Sequence, residues 1–380
     1  MRLTAAALVL AGIAGAVAVA VVVAGPGRAE AYPEFQFSTG ATRCSECHLS
    51  PVGGGLLTDY GREEAGDTIA GAGDGAFLHG LVTPPSWLSV GGDLRLATFA
   101  REGRGTEAAL FPMQAEVSVD VHARGLSVAG TFGVLDAIRD AQPLGERLGS
   151  REHYVMYQPA SEAWYVRAGR FFPAFGLRLL DHTAYVRRYT GLHTLEESYG
   201  LGAGTHGTRW ELHASLLTPI EVAPVVGRHG WGYAVEYERL MGSGDASWSV
   251  SSKGQHDDDG NEAWLGLAWK QWLGGPRVLL SAEVDGGPRT LDSGMSTTAV
   301  LRLAGYAAVS YRPGSRWGAG VAAQLFDPDV RVNGQTSSAL DATFSLFPRA
   351  HWELAALLRG ELADLDHATG TGLLQLHYFL

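Results

Sequence analysis

Glu116-Val117-Ser118-Val119-Asp120-Val121-His122 places a valine at every second position, with polar or charged side chains between them. A period of two lines one face of a β-strand with valines and the other with polar groups. The same texture recurs in Ala163-Trp164-Tyr165-Val166-Arg167-Ala168-Gly169-Arg170 and in Leu373-Leu374-Gln375-Leu376-His377-Tyr378. From Trp87 to the C-terminus about sixteen such segments follow one another. They start near residues 88, 110, 126, 151, 162, 195, 207, 230, 246, 262, 277, 297, 316, 337, 351 and 371.

The connections between them alternate long and short. Short ones fall near Arg124-Gly125, Pro159-Ala160, Gly204-Thr205, Gly242-Ser243, Gly274-Gly275, Pro313-Gly314 and Pro348-Arg349. Long ones cover roughly 102–108, 137–150, 173–194, 218–228, 253–261, 286–295, 328–336 and 363–370. Short turns at one end and long loops at the other are the asymmetry of an outer-membrane barrel, in which an even strand number returns both termini to the periplasm. The fold class read here is all-β: a transmembrane antiparallel barrel of about 16 strands over 87–380. Trp164, Tyr165, Trp231, Tyr233, Trp264, Trp269, Trp272, Trp317 and Trp352 are the aromatics expected in the two interfacial girdles. A large soluble β-sandwich or solenoid is the competing reading.

The chain carries 29 Lys and Arg against 40 Asp and Glu, and its net charge of -11 comes without a basic block. That balance argues against nucleic acid as a partner. The 18% of charged residues is low for a soluble domain, where about 25% is usual, and outer-membrane lipid is the expected surround. At the start, Arg2 precedes an apolar run from Leu3 to about Ala24, and Ala29-Glu30-Ala31 has the small-x-small form of a signal-peptidase site. Residues 1–31 are therefore expected to be a cleaved signal peptide, with Tyr32 first in the mature chain.

Between leader and barrel, residues 32–86 hold the only two cysteines, in Cys44-Ser45-Glu46-Cys47-His48. C-x-x-C-H is the attachment pattern of c-type haem: two thiolates form thioethers and the adjacent imidazole reaches the iron. A structural zinc site needs four ligands, and a thioredoxin-like pair needs a βαβ setting; neither is present around these residues. One covalent haem c on Cys44 and Cys47, with His48 as proximal iron ligand, is the expectation. His79 is the first candidate for the opposite axial position, with Met113 or His122 of the second strand, or an open position, as alternatives.

The order of these parts resembles the fused monohaem cytochrome–porins of bacterial outer membranes, best known from iron oxidisers. The resemblance is carried by the leader, Ala31-x-Pro33-x-Phe35, the single Cys44-x-x-Cys47-His48, Pro51 soon after, Tyr60-Gly61-Arg62, and then a barrel to the end. Residues 53–59, Gly-Gly-Gly-Leu-Leu-Thr-Asp, depart from the Leu-Asn-rich linker of that family. The resemblance implies a haem domain plugging the lumen and an electron conduit across the outer membrane. Its partners would be a periplasmic c-type cytochrome and an extracellular electron donor or acceptor; with iron as donor, the activity would be that of an Fe(II):cytochrome oxidoreductase. The alternative is a diffusion porin for small anions in which the haem segment is a gate or sensor.

Two further stretches stand out. Phe171 to Thr183, with Arg167, Arg170, Arg187 and Arg188, gathers arginines around a Pro-Ala-Phe-Gly-Leu run similar to the constriction segment of phosphate-type porins. Those arginines either line the lumen for haem carboxylates or anions, or balance carboxylates such as Glu152 and Asp181. His256-Asp257-Asp258-Asp259 is read as an outer loop, either metal-collecting or simply solvated.

Overall fold

The computed structural model describes residues 41 and 43–380, apart from 104, 135–147, 194–195, 222–229, 259, 274–276, 293–296 and 364–366. The expected signal peptide and the Ala31-x-Pro33-x-Phe35 match lie outside the described residues. Among those described, no helix is long and apolar enough to cross a membrane.

Sixteen strands form one closed antiparallel sheet: β1 (Leu88–Glu102), β2 (Thr106–Ala123), β3 (Leu126–Val134), β4 (Leu148–Tyr157), β5 (Trp164–Phe171), β6 (Ser198–His206), β7 (Trp210–Leu217), β8 (Trp231–Met241), β9 (Ala246–Asp257), β10 (Gly260–Leu273), β11 (Val278–Asp292), β12 (Thr297–Tyr311), β13 (Trp317–Asp327), β14 (Ser337–Arg349), β15 (Trp352–Ala363) and β16 (His367–Phe379). Each strand pairs with its neighbours in sequence, and β1 closes the ring on β16 from Asp93↔Phe379 to Glu102↔Gly370. Closure leaves no open strand edge.

The wall is inverted relative to a water-soluble protein. Along β2, Glu116, Ser118 and Asp120 are at most 8% exposed, whereas Val117 and Val121 are 55% and 43% exposed. Along β10, Leu265 and Leu267 are both 58% exposed while Lys270 is buried. Apolar groups facing out and charges facing in suit a wall whose solvent is lipid. Buried charges are met by opposite ones: Lys270–Glu238 at 2.7 Å, Arg302–Glu262 at 3.2 Å and Arg151–Glu197 at 3.0 Å.

That inversion makes the lipid face testable. Leu267 lies midway along β10, opposite Val250 and Val284 on the adjoining strands. Leu267→Arg is expected to destabilise the barrel by about 2–4 kcal/mol, the cost of a cation near the bilayer midplane. Equilibrium folding into lipid vesicles against urea checks this, and an unchanged midpoint would put Leu267 away from lipid.

Two sequence expectations need correction. The described parts of 102–108, 253–261, 286–295 and 363–370 are not long loops: β1 and β2 are paired to Glu102↔Thr106, β9 and β10 from Gln271↔Ala246 to Gly260↔Asp257, β11 and β12 from Val278↔Tyr311 to Asp292↔Thr297, and β15 and β16 to Ala363↔His367. The polar run read as loop is strand whose polar side chains point inward, Lys253 and Gln255 among them. Nor do all the aromatics form girdles. Tyr165, Trp264 and Trp272 are buried on the inner face, being one or an odd number of residues from outward neighbours such as Trp164 and Leu265. The outer rings do meet near the short turns, tilted or edge-on, as Tyr157–Trp164, Tyr311–Trp317 and Trp352–Tyr378.

Candidate functional site

The N-terminal segment is built on two short helices. Cys44–Cys47 (α1) ends at His48, whose N–H donates to the Cys44 carbonyl at 2.9 Å. The chain then loops through Gly53–Gly55 and returns antiparallel, with Leu49 N–H on Leu56 O and Thr58 N–H on Cys47 O. Thr58 caps the next helix, Asp59–Glu64 (α2), by accepting from Gly61 N–H at 3.0 Å, while its own hydroxyl donates to Glu46 O. A β-carbon on Gly61 would lie 2.2 Å from Cys47 O, so glycine is what lets α2 sit on α1. Helical spacing thus brings Cys44, Cys47 and His48 together on one turn and its exit.

Burial pushes the Cys47 thiol up to about 12, with Glu46 adding to the effect. Cys44 is raised well beyond the ordinary thiol range by burial first and by Glu211 second. Burial, and then Arg178, lowers His48 to about 4, so its imidazole is neutral at pH 7. A neutral imidazole is the form that ligates a metal. His48 Nδ1 is buried without a hydrogen-bond partner among the described residues. Gly53, at φ +81°, has no side chain where a β-carbon would come 3.4 Å from Cys44 Cβ and 4.0 Å from His48 Cδ2. Two free cysteines, an imidazole with an unmet nitrogen and a side-chain-free flank fit a covalent haem c.

This segment touches the inner wall at several points. Arg167, an inward side chain of β5, donates to Ser50 Oγ at 3.4 Å, and Arg178 donates to Gly53 O at 3.3 Å. Arg62 Nη2 donates to Val90 O of β1 at 2.6 Å. Ala65 and Ile69 pack with Phe347 of β14, flanked by Leu57 and Phe379. Residues 69–76 add backbone bonds: Arg316 N–H to Ile69 O, Gly71 N–H to Phe347 O and Ala350 N–H to Ala72 O.

His79 is placed elsewhere than the Cys44–His48 turn is built. Its ring packs edge-on against His351 at 4.7 Å, and its Nε2 is 3.4 Å from Tyr378 Oη. His122 is bound to Asp120 at 2.9 Å. His256 bonds Asn261 at 2.9 Å, and no group of three or more potential ligands gathers among the described residues.

Sequence reasoning missed His351, which is 2% exposed in the β14–β15 turn. Its Nδ1 faces Phe379 O at 2.8 Å and its Nε2 faces Ala76 O at 3.0 Å, so one ring ties the N-terminal segment to the last strand. No motif announces it, because the contact spans 275 residues. A neutral imidazole has one N–H for these two carbonyls, so at about 1 kcal/mol per hydrogen bond His351→Ala should loosen this junction by about 1 kcal/mol. Hydrogen exchange should then speed up at the Gly71 and Ala350 amides; unchanged protection would remove the ring from this role.

The 172–197 connection turns inward. Phe172, Phe175 and Leu192 pack with Trp264 of β10. Gly176 N–H donates to Ser251 Oγ at 3.0 Å and Leu177 N–H to Glu283 at 2.8 Å. After the single helical turn Tyr185–Arg188 (α3), Lys253 Nζ donates to Thr190 O and Gly191 O. Of the arginines singled out, Arg170 meets Glu197 at 3.8 Å, Arg187 bonds the Leu192 and Leu179 carbonyls, and Arg188 lies over Tyr189. Asp181 is matched by Arg359 instead, at 2.7 Å. Arg167, and Arg178 within the loop itself, are the two that reach the N-terminal segment.

With this geometry in hand, the barrel resembles solved outer-membrane proteins. The outer membrane channel DcaP of Acinetobacter baumannii superposes with a TM-score of 0.58 at 12% identity, over 77% of this chain and 97% of its own. OmpT of Vibrio cholerae gives 0.56 at 10% identity over 77% and 99%, and OprB of Pseudomonas putida 0.56 at 10% over 77% and 94%. The likeness is one of fold. No family model and no curated protein matches the chain.

Proposed function

We propose that this protein resides in the outer membrane as a porin-type barrel and carries one covalent haem on Cys44 and Cys47, with His48 as its proximal ligand. In this reading residues 32–86 plug the lumen, and the protein passes electrons between an extracellular donor or acceptor and a periplasmic c-type cytochrome. The observation that carries the reading is the position of the C-x-x-C-H turn, whose following loop is bonded to Arg167 and Arg178 on the inner side of the wall. A bilayer core is about 30 Å of insulator. The haem would supply a one-electron Fe(III)/Fe(II) couple there, while Cys44 and Cys47 anchor it, His48 orients it, and the filled lumen limits leakage.

A second reading is favoured by the fold likeness to a channel such as DcaP: a diffusion porin for small anions, with the N-terminal segment as gate. The buried arginines would then serve the solute. One experiment separates the two. The matured protein is placed in sealed liposomes with a reduced dye inside and ferric citrate outside. Haem-dependent re-oxidation supports the conduit, and anion passage without electron transfer supports the porin.

A further inference from the structure

Arg178 of the inward loop lies beside the loop that follows the C-x-x-C-H turn. Its Nη2 donates to Gly53 O at 3.3 Å and would lie 3.5 Å from a β-carbon on Gly54. Its Nη1 is buried without a hydrogen-bond partner among the described residues. The guanidinium rests 5.8 Å from the Phe172 ring centroid, which fixes its plane from the loop side. Glu152 is the first carboxylate opposing it. A half-buried arginine whose Nη1 is shut off from solvent with its donors left over suits an anion-facing cation.

We propose that Arg178 is the positioning residue of the haem site and sets its reduction potential: it holds the loop after His48 through Gly53, keeps a fixed positive charge beside the attached haem, and offers Nη1 to a haem carboxylate. This rests on the haem reading above. When the iron takes one electron from a soluble reductant, Fe(III) becomes Fe(II) and the site loses one positive charge. A fixed cation nearby therefore stabilises the reduced form and raises the potential. Because Arg178 belongs to the inward loop, the haem's potential and the loop's position are linked through one side chain.

The test is an equilibrium redox titration of the purified, haem-loaded protein, read from its visible spectrum. Arg178→Gln should lower the reduction equilibrium constant about tenfold, which is about 59 mV for one electron. Arg178→Lys keeps the charge and should recover most of that shift. Glu152→Gln removes the opposing carboxylate and should move the potential the other way, so the proposal stays open to test should Arg178→Gln fail to fold. Arg188→Gln, on the exposed side of the same loop, should leave the midpoint where it is. A wild-type midpoint in both haem-loaded Arg178→Gln and Glu152→Gln, or equal shifts in the Arg178 and Arg188 variants, overturns the role of Arg178. A matured wild-type protein without covalent haem overturns the underlying haem reading instead, and shows itself before any titration.

Discussion

Cys44→Ala and His48→Ala are each expected to abolish haem-dependent electron transfer across a sealed bilayer, leaving the rate of protein-free liposomes. The reasons differ: in the proposed haem reading, Cys44→Ala would remove one of two thioether anchors, and His48→Ala the imidazole that would reach the iron. Neither change touches the wall, since the sixteen strands pair with one another and the segment meets them mainly through Arg62, Ser50, Gly53 and residues 57–76. Both variants should therefore still fold as heat-modifiable barrels, so a loss of transfer would report the haem and not the scaffold. Wild-type transfer in either purified variant would sink the conduit reading. Loss of haem with unaltered anion flux would leave the porin reading in place.

The wall was legible because alternation is a short-range signal that repeats in every strand. Starts read at 88, 126, 246, 297 and 337 coincide with those observed, and the remainder fall within four residues. Errors arose where the inner face is polar enough to imitate loop, as at Lys253 to Asp257. They arose again where one period-2 step decides the side, as with Trp164 outside and Tyr165 inside. The C-x-x-C-H motif can be read because it is local to five residues, which the structure folds as one helical turn and its exit. Contacts that hold it against the wall cannot: Arg178–Gly53 spans 125 residues and His351–Ala76 spans 275. Nothing in the local sequence distinguishes Arg178 from Arg188, although one is enclosed beside the turn and the other is exposed over Tyr189.

Arg359→Met should release the far end of the inward loop. On β15, directly across from Asp341 of β14, Arg359 donates through Nε and Nη2 to both Asp341 oxygens at 2.7 Å. The same Nη2 reaches Asp181 at 2.7 Å, and Nη1 reaches Thr183 Oγ1 at 2.8 Å. Asp181 in turn accepts from Thr183 N–H at 2.8 Å, closing the turn that leads into α3. One guanidinium therefore bonds two carboxylates and staples the loop to the wall. Taking away one partner of a buried pair leaves an uncompensated charge and costs about 3–5 kcal/mol. Replacing both members, as in Arg359→Met with Asp341→Leu, should return much of that stability, because two apolar groups of similar volume need no counter-charge. It should not return the loop, since Asp181 and Thr183 still lack their donor. Limited proteolysis near residues 179–184 should thus be faster in both proteins, while thermal stability falls mainly in the single variant. The Phe172–Trp264 packing and the Leu177–Glu283 bond still hold the near end, where Arg178 sits. Unchanged proteolysis in both variants would mean that this near-end packing alone fixes the loop.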